Sequence, residues 1–183
     1  HSRSRRQRQM CIRDSSYHLL KHNKGKGVMI GHMDDMDPRV VTVIGAGVAG
    51  TQSILKAIDN NALVKVVDSS QSKLDDLKSK YGTHNVEYIL STKDSIQVSV
   101  NESDLVIGSV YVVGKEAPKV VTKDMLSSMN PGTVMVDVSI DQGGCFETSK
   151  PTTHDSPTFL ENDIVHYCVT KMPGAVPLTD TED

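Results

Sequence analysis

Gly45, Gly47 and Gly50 stand in the spacing Gly-x-Gly-x-x-Gly, and Asp68 follows eighteen residues after the last of them. Such a set can cradle a dinucleotide when a strand precedes it and a helix follows. Val40-Val41-Thr42-Val43-Ile44 is β-branched and apolar, as a buried parallel strand should be, and a helical pattern begins after the glycines. Gly45 is expected to make the tight turn, Gly47 to let the backbone approach a pyrophosphate, and Gly50 to let helix pack on strand. The pyrophosphate then meets free N–H groups and the positive end of the helix dipole. Asp68 closes the run Leu63-Val64-Lys65-Val66-Val67, where its carboxylate can accept from both adenosine ribose hydroxyls. That favours NAD over NADP, whose 2′-phosphate meets a like charge, although Lys73 can partly offset the repulsion. The competing explanation is packing alone for the glycines and helix capping for Asp68.

The elements that must hold these residues alternate between strand and helix. Strands are predicted at 40–44, 63–67, 86–90, 105–110, 133–138 and 164–169, and helices at 48–60, 70–80, 94–101 and 123–129. Ile54, Leu55 and Ile58 in the first helix, and Leu74 and Leu77 in the second, recur at helical spacing and should face inward. Asn130-Pro131-Gly132 stops the fourth helix. This rhythm predicts an α/β fold of the Rossmann type, a doubly wound parallel sheet of about six strands in the order 3-2-1-4-5-6 with helices on both faces.

Composition narrows the function classes. The 183 residues allow one substantial core but not a two-domain dehydrogenase. No apolar run nears the roughly 20 residues that span a bilayer, and the start of the chain lacks the apolar region of a signal peptide. Cys11, Cys145 and Cys168 are too few and too scattered for a disulfide framework or zinc site. A reducing cytoplasm is the expected setting. Aromatic residues, 4% of the chain, are too few for a nucleic-acid stacking surface.

The net charge of −3 hides an asymmetry, because Arg3, Arg5, Arg6, Arg8 and Arg13 are five of the six arginines. A basic arm for nucleic acid or an anionic membrane is one reading. The other, adopted here, is that residues 1–15 are non-native, since Arg6-Gln7-Arg8-Gln9-Met10-Cys11-Ile12-Arg13-Asp14-Ser15 has the look of translated sequencing-adapter read-through. On that division residues 16–38 are a helix tail and lead-in loop, 39–170 the nucleotide-binding domain, and 171–183 the start of a return to a substrate domain. No nucleic-acid or membrane partner is expected.

From about Tyr17 to Thr179 the chain resembles the NAD-binding domain of alanine dehydrogenase. The most specific stretch is Asp137-Val138-Ser139-Ile140-Asp141-Gln142-Gly143-Gly144-Cys145-Phe146-Glu147-Thr148-Ser149, followed by Pro151-Thr152-Thr153-His154. Asp104-Leu105-Val106-Ile107-Gly108, Ala117-Pro118-Lys119 and Met172-Pro173-Gly174-Ala175-Val176-Pro177 match as well. The related transhydrogenase α-subunit shares the glycine turn and a Gln-Gly-Gly but usually lacks the Asp-Gln-Gly-Gly-Cys-Phe-Glu run. The resemblance implies reversible conversion of L-alanine, NAD⁺ and water into pyruvate, ammonia and NADH, in a homo-oligomer that is a hexamer in the family.

Carried over residue by residue, the resemblance implies cofactor contacts at Gly45, Gly47, Val48, Gly50, Asp68, Lys73, Ser91, Val110, Tyr111, Val138, Ser139, Ile140, Asp141, Thr170, Lys171, Met172 and Pro173. It makes Asp141 the catalytic carboxylate beside nicotinamide and substrate; the plainer alternative for Asp141 is a turn or capping residue. Two positions depart from the family pattern. Lys171 stands where asparagine is usual, putting a cation near the nicotinamide, and Tyr111 replaces an aliphatic residue.

Other polar candidates read as structural. His154 and His166 lie on different elements with no third ligand at suitable spacing, so no metal site is expected. Cys145 has no local base and is expected to be a small buried filler. A simple turn role for Ser91 is almost as good an account as a cofactor contact. The family's substrate domain, with its lysine and histidine, has no counterpart here, so the expectation is NAD(H) binding without turnover. A transhydrogenase subunit and a stand-alone NAD(H)-sensing module are the alternatives.

Overall fold

The computed structural model describes residues 39–170. They form a seven-stranded sheet ordered β3-β2-β1-β4-β5-β7-β6. Strands β1 (Val40–Ile44), β2 (Leu63–Asp68), β3 (Val86–Leu90), β4 (Leu105–Gly108), β5 (Val134–Asp137) and β7 (Ile164–Tyr167) run parallel, and β6 (Thr158–Glu161) is antiparallel to β7. Because β4 and β5 are buried at every position, they read as unbroken apolar runs rather than alternating ones. The order reverses between β1 and β4, and ligands of open α/β sheets lie at such a crevice, beyond the carboxyl ends of the strands.

Helices α1 (Val48–Asp59) and α2 (Gln71–Tyr81) cover one face, where Ile54, Ala57, Leu74 and Leu77 pack on Val43, Val66 and Ile107. On the other face α3 (Lys93–Glu102), the single turn α4 (Lys123–Leu126) and the loop around Cys145 and Phe146 pack on Ile44, Val67 and Met135. Local chemistry sets the helix ends. The Ser70 hydroxyl accepts from the Lys73 N–H at the start of α2, and Thr92 with Ser95 forms a reciprocal capping box on α3. Among the described residues no helix is long and apolar enough to cross a membrane.

The expected order 3-2-1-4-5-6 holds, with β7 as the sixth parallel strand. Three corrections follow. Strand β6 belongs to the sheet and was missed; it forms a hairpin with β7 through Asn162 and Asp163, whose φ values of 51° and 61° suit the two-residue turn that matches strand twist. The helix expected over 123–129 is helical only to Leu126, although Met129 is still buried. On α1 the buried stripe is Gly50, Ser53, Ile54 and Ala57, with Leu55 only half-buried. Expectations for residues 1–38 and 171–183 lie outside the described residues.

Candidate functional site

The glycine turn is built by close approach. Gly45 has φ +100°, a region β-carbons disfavour, and its N–H donates to Val67 O at 2.8 Å. A β-carbon there would collide with the Ser109 carbonyl, and one on Gly50 would collide with the carbonyl of Gly45. Sheet, turn and helix are thus in backbone contact, which excludes side chains at both positions. Gly47 differs: its φ of −74° suits any residue, and a β-carbon there would meet nothing within 4 Å. It caps α1 without a side-chain acceptor or any acidic residue in the first turn, and Val48 beside it is exposed. The unneutralised helix start faces open space that only the absence of a side chain keeps clear, the arrangement an incoming phosphate needs.

Asp68 joins that turn to the next. Its Oδ2 accepts from the Ala46 N–H and its Oδ1 from the Ser70 N–H, each at 2.7 Å. The carboxylate is buried and fixed in orientation, and each oxygen retains a lone pair that a ribose hydroxyl can use. Ser91, just past β3, donates its N–H to Asp68 O at 2.9 Å, so it too lies at this edge. Lys73 is exposed in the first turn of α2.

The remaining described site residues follow β4, β5 and β7, so the fold gathers them along one edge of the sheet. Past β4, Ser109 is buried, Val110 half-buried, and Tyr111 70% exposed. Ser139 Oγ donates to Val110 O at 2.7 Å, tying the two loops together, and Val138 N–H donates to Gly108 O at 2.8 Å. The 3₁₀ turn Ile140–Gln142 buries Ile140 and carries Asp141 on its exposed side. Thr170 donates its N–H to Thr152 O at 3.3 Å beyond β7. Lys171, Met172 and Pro173 lie outside the described residues.

Sequence reasoning missed Asp137. This last residue of β5 is 3% exposed, and its carboxylate accepts from the N–H groups of Ser139 (2.9 Å), Cys145 (2.9 Å) and Phe146 (3.3 Å) and from the Ser149 hydroxyl. Gly144, at φ +80°, brings the chain back; a β-carbon there would lie 2.7 Å from Asp137 Oδ2. Lys119 Nζ clamps the same turn by donating to the carbonyls of Gly143 and Gly144. The available signal was an aspartate closing an apolar strand, as Asp68 does, with a Gly-Gly pair downstream. Next door, a β-carbon on Gly108 would strike Cys145 Sγ and sit 2.6 Å from Phe146 Cζ.

Burial, and then the nearby Asp137 charge, push the Cys145 thiol well above its usual range, and burial raises Cys168 to about 11. Neither supplies a thiolate nucleophile near neutral pH. His166 is fully buried: its ring pairs with Thr148 Oγ1 at Nε2 (2.7 Å) and with the Ile164 carbonyl at Nδ1 (2.9 Å), and it stacks on Phe159. Burial lowers its pKa, so the ring is neutral, with Nδ1–H donating to Ile164 O and Nε2 accepting from Thr148. His154 is exposed on a loop, and among the described residues no cluster of ligands could hold a metal.

Residues 11–183 match the family model described as "Alanine dehydrogenase/PNT, C-terminal domain". The chain is 46% identical over 173 residues to alanine dehydrogenase of Halomonas elongata, covering 94% of this chain and 46% of the relative. It is 45% identical over 166 residues to that of Mycolicibacterium smegmatis, covering 91% and 44%. Among solved structures, an L-alanine dehydrogenase superposes with a TM-score of 0.88 at 37% identity, covering 95% of this chain and 48% of that one. A transhydrogenase from Sinorhizobium meliloti shares the fold, with a TM-score of 0.76 at 22% identity over 92% of this chain and 48% of the other. The chain therefore spans about half the length of the relatives it matches. Glycine turn, strand-end aspartates and these likenesses converge: the chain belongs to the alanine dehydrogenase/PNT C-terminal domain family, as an NAD-binding domain of that family.

Proposed function

We propose that this chain is the NAD-binding domain of an alanine dehydrogenase, an enzyme that interconverts L-alanine, NAD⁺ and water with pyruvate, ammonium, NADH and a proton. The observation that carries the reading is the open space before Gly47 at an uncapped helix start, flanked by the fixed carboxylate of Asp68. When bound, NAD⁺ supplies the hydride acceptor, and the chain supplies position. The backbone N–H groups at the start of α1 hold the pyrophosphate. Asp68 accepts from the adenosine ribose and disfavours a 2′-phosphate, with Lys73 close in sequence. Ser91, Val110, Tyr111 and residues 138–141 line the path toward the nicotinamide, and the family resemblance adds Thr170, Lys171, Met172 and Pro173 as cofactor contacts. Asp141 is the active-site carboxylate, placed to hold a proton or orient water at the substrate.

The 183-residue chain binds NAD(H) without oxidising alanine, because the substrate domain lies in the rest of the protein. A hexamer and a cytoplasmic setting complete the reading. The test is alanine-dependent NADH formation by the complete protein, beside calorimetric titration of NADH into this chain. Alanine turnover with Asp141→Asn inactive supports the reading. Hydride transfer from NADH to a thio-NADP acceptor, with no alanine turnover, overturns it.

A further inference from the structure

Among the described residues the ion pairs join Lys65 to Glu87 and Glu102, and Lys123 to Glu161, all away from Asp137. The Asp137 charge is instead met by hydrogen bonds: three backbone N–H groups, the Ser149 hydroxyl, and a long contact from Cys145 Sγ at 3.6 Å. Charge-assisted bonds of this kind are short and directional, and a buried carboxylate that gathers several sets its donors rigidly. The donors lie on both sides of Asp141: Ser139 two residues before it, Cys145 and Phe146 four and five after. Ser139 in turn accepts at its carbonyl from the N–H groups of Gln142 and Gly144, at 2.9 and 3.1 Å. The segment bearing Asp141 is therefore a short arch with both feet on one carboxylate. A second tie, Thr148 to His166, holds the chain beyond the arch to β7.

We infer that Asp137 is a positioning residue for the reaction: its carboxylate fixes where the Asp141 carboxyl group stands relative to nicotinamide and substrate. The inference rests on the alanine dehydrogenase reading and assigns a role within it. Substituting Asp137→Asn retains the shape but puts an amide N–H₂ where an acceptor is needed. Whichever way the amide turns, it faces either the Ser139 N–H or the donors of Cys145, Phe146 and Ser149. One foot of the arch is released, and displacement of about 1 Å at a reacting group can cost about 10²-fold in rate.

The experiment uses the complete protein and compares wild type, Asp137→Asn and the milder Ser149→Ala, which removes a single donor. For Asp137→Asn, kcat should fall about 10²-fold and the pH profile of kcat should shift, while the Kd for NADH changes by a clearly smaller factor because the glycine turn and Asp68 are untouched. Ser149→Ala should move kcat and the pH profile in the same direction by a smaller factor, which keeps the test decisive if Asp137→Asn does not fold. Amide exchange at Cys145 and Phe146 should quicken in parallel. A merely structural role predicts a lower unfolding temperature with kcat per folded enzyme and its pH profile unchanged, and that result in either folded variant overturns the inference. Wild-type turnover separates the two claims. If the wild type oxidises alanine and the variants match it, only this inference fails; if the wild type does not, the functional reading fails and takes the inference with it.

Discussion

Two aspartates end two parallel strands, and each accepts from the N–H two residues ahead: Asp68 from Ser70, and Asp137 from Ser139. The resemblance stops at the second oxygen. Asp68 reaches sideways to Ala46 in the glycine turn of the neighbouring strand, and keeps acceptor capacity for a ligand. Asp137 reaches forward into its own loop and is occupied by Cys145, Phe146 and Ser149. The same residue at the same place in the strand keeps acceptor capacity in one case and is taken up by loop architecture in the other. What decides is whether the following chain returns to the carboxylate.

The largest effects should come from filling the backbone contacts on which each side depends. Gly50→Ala places a β-carbon on the Gly45 carbonyl and should cost about 3 kcal/mol or more of stability. Gly144→Ala forces a β-carbon into the left-handed region beside Asp137 and should cost about 1–3 kcal/mol. Urea unfolding ranks them, and equal costs would mean that the two turns are packed alike, contrary to the geometry.

A sharper separation uses Gly47. Gly47→Ala should leave stability within about 0.5 kcal/mol, since nothing surrounds the new methyl group. NADH affinity should nevertheless fall at least about tenfold, or about 1.4 kcal/mol. Unchanged affinity would show that the open space before α1 is not where the cofactor lies.

The smallest expected effect is one of pH, and it falls on the Asp137 side. His166 has its pKa lowered by burial, so the folded state resists a proton that the unfolded chain takes up. Its contribution to stability is complete above the ordinary value of 6.5 and declines as pH falls through it toward the lowered value. The slope is at most about 1.4 kcal/mol per pH unit. Chemical denaturation at pH 7.5 and 5.5 should show a smaller acid loss in His166→Gln than in wild type. If the slopes are equal, His166 is not what loosens this side in acid.

The unequal legibility of the two sides follows from the same geometry. Asp68 was readable because its partners obey a fixed spacing: strand, three glycines, second strand. Asp137 was not, because Cys145, Phe146 and Ser149 reach it only after the chain doubles back at Gly144. Strand β6 escaped for a related reason, being four half-exposed residues whose pairing depends on the Asn162-Asp163 turn. The parallel strands, buried on both faces, left uninterrupted apolar runs and were found with their order. His166 was rightly read as a strand residue, while its bond to Thr148 joins elements that no local pattern connects.

Gly108 and Phe146 lie 38 positions apart in the chain, yet the Phe146 ring occupies the place where a side chain on Gly108 would stand. Cys145 Sγ lies nearer still to that place, so three positions share a single volume. Gly108 cannot grow unless both Cys145 and Phe146 give way, so the three are expected to change together across the lineage or not at all. Phe146 is also one of the residues held by Asp137, so that shared volume links the history of a strand in the middle of the sheet to that of the loop carrying Asp141.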